Sequence, residues 1–122
     1  MIKRILLIDD SRALATSLAD ILTMEGYEVT IVNNGVKAIA FLEKNIPNLI
    51  ITDLIMPEMN GIEFIQNIRK EPRYKSIPII AISADTREER AQEGIAAGAN
   101  LFFTKPFDEY ILIKSIEKLT AK

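Results

Sequence analysis

The chain has 122 residues, which is enough for one domain with a single core and too few for two domains of ordinary size, so we expect residues 1–122 to form one domain. Its net charge of −2 gives no basic surface for binding DNA or RNA. Cysteine and histidine are both absent, which excludes disulfides, thiolate metal sites, ordinary zinc sites and Ser-His-Asp catalysis.

The first apolar run, residues 5–8, is followed at once by the acidic pair Asp9 and Asp10. It is too short for a signal peptide or a membrane-spanning helix, so we expect a cytoplasmic protein that does not insert into membranes. A short apolar run bounded by charges instead predicts a buried strand.

Further segments also predict strands, at residues 27–32, 49–53, 77–82 and 101–104. The run that ends on Asp53 has no polar face, which is typical of a central strand in a parallel sheet covered by helices on both sides. Pro78 lies near the start of its segment, where a strand tolerates proline.

Apolar residues at helical spacing follow these strands, and they comprise Leu14, Leu18, Ile21 and Leu22; Val36, Ile39, Ala40 and Leu42; Ile62, Ile65 and Ile68; and Ile111, Leu112, Ile116 and Leu119. Ser11 and Asp108 are candidate N-caps, and Gly26 follows the first helix. The remaining helix is mostly polar and should pack weakly. We predict that it starts at a capping box formed by Thr86 and Glu89 and stops near Gly98.

The alternation of strand and helix predicts an α/β fold, a (βα)5 doubly wound parallel sheet with flavodoxin-like strand order 2-1-3-4-5. All strands of such a sheet point the same way, so the residues that end them lie along one edge. These residues are Asp9 and Asp10, Asp53, Ser83 and Lys105. Strand order reverses between strands one and three, so Asp10 and Asp53 should face each other across the crevice where open α/β sheets bind ligands.

The residues at this edge have complementary chemistry. Three crowded carboxylates repel one another unless a cation intervenes, and oxygen ligands alone select magnesium, manganese or calcium, of which magnesium suits a site with room for water and a phosphate. Lys105 adds a positive charge and Ser83 a hydroxyl, so the parts needed for phosphoryl transfer to an aspartate are present. Taken singly, Asp53 or Ser83 could hold a turn, Asp9 and Asp10 could cap a helix, and Lys105 could be a solvated charge.

The whole chain resembles the receiver domains of two-component response regulators, including chemotaxis receivers. The matching features are the pair Asp9 and Asp10, the stretch Asp53–Pro57 with Gly61 behind it, Ser83, and Lys105–Pro106. The resemblance implies that Asp53 accepts a phosphoryl group from a phosphohistidine on a sensor histidine kinase or a histidine phosphotransfer protein. It also implies a cis peptide bond between Lys105 and Pro106.

The resemblance further implies a Mg²⁺ site, which Mn²⁺ could also fill. Asp10, Asp53 and the backbone carbonyl of Ile55 would bind the ion, and Asp9 would assist through water. Lys105 and Ser83 would contact the phosphoryl oxygens.

A conformational switch is implied as well. Ser83 would move toward the phosphorylated aspartate, and the ring three residues before Lys105, here Phe102 in place of the commoner tyrosine, would turn inward. The face made by helix four, strand five and helix five would then change and contact a downstream target or effector domain. We expect a monomer or weak dimer that catalyses only its own phosphorylation and slow self-dephosphorylation.

Ile55 and Asp85 occupy the two positions that usually tune phosphoryl lifetime in this family. An apolar Ile55 cannot orient a hydrolytic water, and Asp85 would repel anions. We therefore predict slow self-dephosphorylation.

Two alternatives stay open. A pseudo-receiver would bind partners without phosphorylation. A phosphatase of the haloacid dehalogenase type would need a second acid two residues after its nucleophile, where this chain has Ser11 after Asp9 and Ile55 after Asp53. A nucleotide-binding fold lacks support, because the chain has neither a Gly-x-Gly-x-x-Gly nor a Walker loop.

Overall fold

The fold is built on a parallel sheet. The computed structural model describes residues 2–56 and 59–121. Within those residues the strands are β1 (Arg4–Ile8), β2 (Glu28–Val32), β3 (Leu49–Asp53), β4 (Ile79–Ser83) and β5 (Leu101–Thr104). Their order is β2-β1-β3-β4-β5, and every neighbouring pair is parallel. The predicted fold class and strand order are confirmed.

Helices cover both faces of this sheet. They are α1 (Arg12–Met24), α2 (Gly35–Leu42), α3 (Gly61–Lys70), α4 (Glu88–Ala97) and α5 (Glu109–Thr120), with a short 3-10 turn at Pro72–Tyr74. Successive side chains of β1 alternate between two cores: Leu6 and Ile8 pack with α2 and α3, whereas Ile5 and Leu7 pack with α1 and α5. None of the described helices is long and apolar enough to cross a bilayer.

The central strands are buried along almost their whole length. Every residue of β3 and β4 is buried, and in β1 only Arg4 is exposed, as the unbroken apolar runs predict. The edge strands β2 and β5 are only partly buried. The centre of the sheet thus provides a firm base for the residues that follow β1 and β3.

The predicted start of β4 is wrong by two residues. The strand begins at Ile79, although the apolar run begins at Ile77. Pro78 has no amide hydrogen, so it joins the sheet only through its carbonyl, which accepts a hydrogen bond from the Ile50 amide at 3.0 Å.

The predicted capping box at the start of α4 is also wrong. The helix begins at Glu88, and its N-cap position is held by Arg87, whose side chain makes no capping hydrogen bond. The Asp85 carboxylate accepts the hydrogen bond of the Arg87 amide at 3.0 Å, which closes the loop without Thr86 or Glu89.

Other helix ends agree better with the sequence. Asp108 caps α5 by accepting hydrogen bonds from two amides of the first turn at 2.8 and 3.2 Å. Ser11 occupies the N-cap position of α1, but its side chain makes no capping hydrogen bond. Gly26 and Gly98 follow α1 and α4 with φ values of +98° and +128°, which glycine adopts most easily.

Some apolar residues on the predicted helix faces do not pack against the sheet. Leu14, Val36 and Ile111 are 53 %, 51 % and 54 % exposed, although their spacing places them with buried neighbours. Periodicity identifies the side of a helix that faces the sheet, but it does not show how far the sheet extends beneath that side.

The start of α3 lies directly against the end of β3. The Gly61 amide donates a hydrogen bond to the Leu54 carbonyl at 2.9 Å. A Cβ atom at Gly61 would collide with the Asp53 carbonyl oxygen and lie 2.7 Å from the Leu54 Cα atom. Pro57, in the turn predicted between these elements, lies outside the described residues. Gly61 is therefore needed for the close approach that supports the backbone of Asp53.

Gly61→Ala should lower the free energy of unfolding by about 1–3 kcal/mol, because the new methyl group meets backbone atoms that cannot rotate away. Gly35→Ala is the matched control, since Gly35 also begins a helix and the three atoms nearest to its Cβ would belong to the Met59 side chain and not to the backbone. We expect that control to cost less than about 1 kcal/mol. Urea denaturation measures both values, and equal losses in the two variants would contradict the proposed backbone contact.

Candidate functional site

Three carboxylates meet at the carboxyl edge of the sheet, as the sequence predicts. Asp9 and Asp10 follow β1, and Asp53 is the last residue of β3. Each offers one carboxylate oxygen, and these oxygens all lie within 4.8 Å of one another. We call Asp9, Asp10 and Asp53 the acid cluster.

The members of the acid cluster differ in burial. Asp9 is 3 % and Asp53 7 % exposed, whereas Asp10 is exposed. Burial raises the pKa of the Asp9 carboxyl above its usual range, and the nearby Asp53 charge acts in the same direction. The Ser11 amide, which donates to Asp9 Oδ1 at 2.9 Å, and the Lys105 charge oppose that increase. The cluster therefore has a deep part and an open side at Asp10.

Lys105 supplies the positive charge within the cluster. Its Nζ atom lies 2.9 Å from Asp53 Oδ2 and 3.2 Å from Asp9 Oδ2. Burial by itself would lower the pKa of the ammonium group, but the hydrogen bond and charge of Asp53, together with those of Asp9, outweigh burial and raise it. The peptide bond between Lys105 and Pro106 is cis, the isomer that the resemblance implies.

Asp53 also forms a turn. Its Oδ1 atom accepts a hydrogen bond from the Ile55 amide at 3.1 Å, while Oδ2 contacts Lys105. Asp53 therefore holds a turn and also belongs to the acid cluster. The Ile55 side chain is 54 % exposed beside it and presents only apolar surface.

Ser83 ends β4 and is fully buried. Its Oγ atom accepts a hydrogen bond from the Asp85 amide at 3.1 Å. Among the described residues it makes no hydrogen bond with Asp53. The structure thus places Ser83 at the predicted edge but binds its hydroxyl within its own loop.

Asp85 is not the free negative charge that the sequence suggests. Arg87 Nη2 lies 2.6 Å and Arg90 Nε 3.2 Å from Asp85 Oδ2. These hydrogen bonds, those of Arg87 first, hold the pKa of the Asp85 carboxyl well below its usual range. We call Asp85, Arg87 and Arg90 the loop ion cluster. Sequence reasoning missed the two arginines, whose only signal is that they lie two and five residues after the aspartate.

Phe102 lies on β5 and is half-buried beneath α4. It packs against the core on the α2 and α3 side of the sheet. A Cβ atom at Gly94 of α4 would lie 3.7 Å from Phe102 Cδ1, which is an ordinary van der Waals distance. The ring therefore lies next to the Gly94 turn of α4.

Replacing Lys105 with Met should lower the free energy of unfolding by about 1–3 kcal/mol at pH 7, because two buried carboxylates lose their cation. The Asp9 pKa is raised in the folded protein, so folding loses stability as the pH rises above the ordinary pKa of the unfolded carboxyl, and the loss is complete above the raised pKa. At lower pH Asp9 is protonated in both states and the cost is absent. The loss in Lys105→Met should therefore be larger at pH 7 than at pH 4.

Urea denaturation at both pH values measures this difference. Lys44→Met, which removes an exposed charge remote from the acid cluster, is the control. A Lys105→Met loss of the same size at both pH values would contradict the stated charge compensation.

Comparison with known proteins places these features in a family. The sequence model of the response regulator receiver domain matches residues 5–117. The chain is 37% identical to chemotaxis protein CheY of Thermotoga maritima, covering 97% of this chain and 98% of that protein. It is 36% identical to response regulator PleD of Caulobacter vibrioides over 98% of this chain, but spans only 26% of that protein.

A solved structure is similar over the same length. The receiver domain of sensor histidine kinase PA1611 from Pseudomonas aeruginosa, which has a magnesium ion coordinated in its active site cleft, superposes with a TM-score of 0.92 at 26% identity and 100% coverage of both chains. The family match covers nearly the whole sequence, and the fold and the acid cluster agree with it. The chain belongs to the family of response regulator receiver domains, which are signalling domains of two-component systems.

Proposed function

We propose that this receiver domain is a Mg²⁺-dependent phosphoacceptor in which Asp53 receives a phosphoryl group from a phosphohistidine on a partner protein. The observation that carries the proposal is the position of the Asp53 carboxylate, which ends β3 inside the acid cluster and lies 2.9 Å from Lys105 Nζ. The donor is a sensor histidine kinase or a histidine phosphotransfer protein. Residues 1–122 contain no histidine, so the phosphohistidine lies outside them.

The proposed step is a direct transfer. An Asp53 carboxylate oxygen attacks the phosphorus atom, the phosphorus–nitrogen bond to the imidazole breaks, and the electron pair of that bond leaves with the imidazole, which takes up a proton. Lys105 already contacts the carboxylate and is close enough to balance the phosphoryl oxygens as charge moves onto them. Ser83 offers a hydroxyl donor to the same oxygens, because its Oγ atom only accepts in the hydrogen bond from the Asp85 amide.

The acid cluster has the donor set that a hard divalent cation prefers. Three carboxylate oxygens lie within 4.8 Å of one another, and the exposed Asp10 leaves that side open to solvent. Asp10, Asp53 and the carbonyl of Ile55 would hold Mg²⁺, or Mn²⁺ in its place, with Asp9 acting through water. When bound, the ion would neutralise charge shared between these carboxylates and the phosphoryl oxygens.

The proposed output is a change of the face formed by α4, β5 and α5. Ser83 moves toward the phosphoryl group, and the Phe102 ring, which already lies beneath Gly94, turns inward. Phe102 lacks the hydroxyl of the commoner tyrosine, so its contribution to the switch is packing alone. A downstream target or effector domain binds this face, and the domain acts in the cytoplasm as a monomer or weak dimer.

Beryllofluoride with Mg²⁺ should shift the NMR resonances near Asp53 and those of α4, β5 and α5, because it occupies the position of a phosphoryl group. Acetyl phosphate with Mg²⁺ should add one phosphoryl group, which mass spectrometry detects. Asp53→Ala should abolish both responses, whereas Asp20→Ala, which removes an exposed acid on α1, should preserve them. A wild-type protein without a Mg²⁺-dependent response would refute the proposal and favour a pseudo-receiver.

The phosphoryl group on Asp53 should be long-lived, because the Ile55 side chain cannot orient a hydrolytic water. Ile55→Asn should shorten its half-life by roughly tenfold, which corresponds to about 1.4 kcal/mol in the barrier. Ile55→Leu, which stays apolar, is the matched control. The decay of the phosphorylated protein after removal of the donor gives the half-life. A wild-type half-life of seconds, or equal half-lives in the Asn and Leu variants, would contradict the role of this side chain.

A further inference from the structure

A recess opens beside the acid cluster, and no step of the proposed transfer uses it. Its volume is about 360 Å³. Arg12 of α1 and Lys37 of α2 line it, together with Asn33 from the connection after β2, and it reaches Asp9 and Asp10. Cationic side chains from two helices therefore share one recess with the open side of the acid cluster.

In the part of the chain that the structure describes, the two cations of the recess have no counter-ion of their own. Arg12 and Lys37 are exposed, and within residues 2–56 and 59–121 neither side chain forms an ion pair or a hydrogen bond. Other cations near the site are already engaged, because Lys105 contacts the acid cluster and Arg90 contacts Asp85. Arg12 and Lys37 are thus free to bind an anion from solution.

The charge balance at the sheet edge determines how an anionic donor approaches Asp53. When ionised, the three carboxylates of the acid cluster carry three negative charges, which Lys105 and the proposed Mg²⁺ together offset, so the loaded cluster has no net charge to attract an anionic phosphoryl donor. Arg12 and Lys37 add two positive charges on the open side of the cluster, which makes that side attractive to an anion. Positive charge in a recess also raises the local concentration of an anion before it reacts.

We propose that Arg12 and Lys37 form an anion subsite that binds the phosphoryl group of a small donor, a phosphoramidate or an acyl phosphate, beside Asp10 before transfer to Asp53. The forked donors of the Arg12 guanidinium match phosphoryl oxygens, and the Lys37 ammonium adds a compact charge. The subsite forms and breaks no covalent bond; it positions the donor. This inference rests on the proposed function of Asp53.

The test compares two double variants that change the net charge equally. Arg12→Gln with Lys37→Gln removes the subsite, and Lys44→Gln with Lys70→Gln removes two exposed cations near the C-terminal ends of α2 and α3. The measurement is the apparent second-order rate constant of phosphorylation by phosphoramidate with Mg²⁺. At low ionic strength the subsite variant should react at least about fivefold more slowly than wild type, and the gap should fall below about twofold in about 0.5 M NaCl, because salt screens the attraction.

Two results would overturn the subsite: a subsite variant as fast as wild type at low ionic strength, or a control variant slowed equally, which would assign the effect to net charge.

If the wild type is not phosphorylated at all, the proposed function fails, and titration with inorganic phosphate decides the subsite separately. Phosphate should then shift the amide resonances of Arg12 and Lys37 in wild type, and the shifts of neighbouring amides should be lost in the subsite variant. No shift in wild type would overturn the subsite.

Discussion

The pairing of Lys105 with two buried carboxylates is the interaction on which the site depends. Asp9 and Asp53 are like charges with little access to water, and without a cation they would repel each other. Lys105 follows β5, so its side chain must cross the end of β4 to reach them. Ser83, the last residue of β4, has a small side chain, and its carbonyl accepts a hydrogen bond from the Lys105 amide at 2.8 Å. A small residue at this strand end therefore allows the lysine to reach the cluster.

The same site depends on the reversal of strand order at β1. Ile8 and Thr52 are partners in the register of β1 and β3, so the next residues on these adjacent strands are Asp9 and Asp53. Parallel pairing thus brings the two carboxylates together without any contribution from a loop. The close approach of Gly61 to the end of β3 then fixes the backbone beyond Asp53.

Much of this arrangement is predictable, because it follows from strand direction alone. Apolar runs identify β1, β3 and β5, and the residues that end or follow them must share an edge, so Asp9, Asp53 and Lys105 can be placed together without coordinates. The pairing of Asp85 with Arg87 is different. It depends on the path of a loop, and the sequence equally supports a capping box at Thr86, which does not form. The path of the loop decides which of several competing local hydrogen bonds a side chain forms, and the spacing of apolar residues does not predict that path.

The hydrogen bonds of the β4–α4 loop give a physical route from the site to α4. The Ser83 hydroxyl accepts from the Asp85 amide, and the Asp85 carboxylate accepts from the Arg87 amide immediately before the helix. In the proposed switch, movement of Ser83 toward Asp53 would pull on the first bond, which shares Asp85 with the second. Only Gly94 of α4 is buried, so little packing opposes a shift of this helix. The weakly packed helix above Phe102 is thus the element that a change at the strand ends can move most easily.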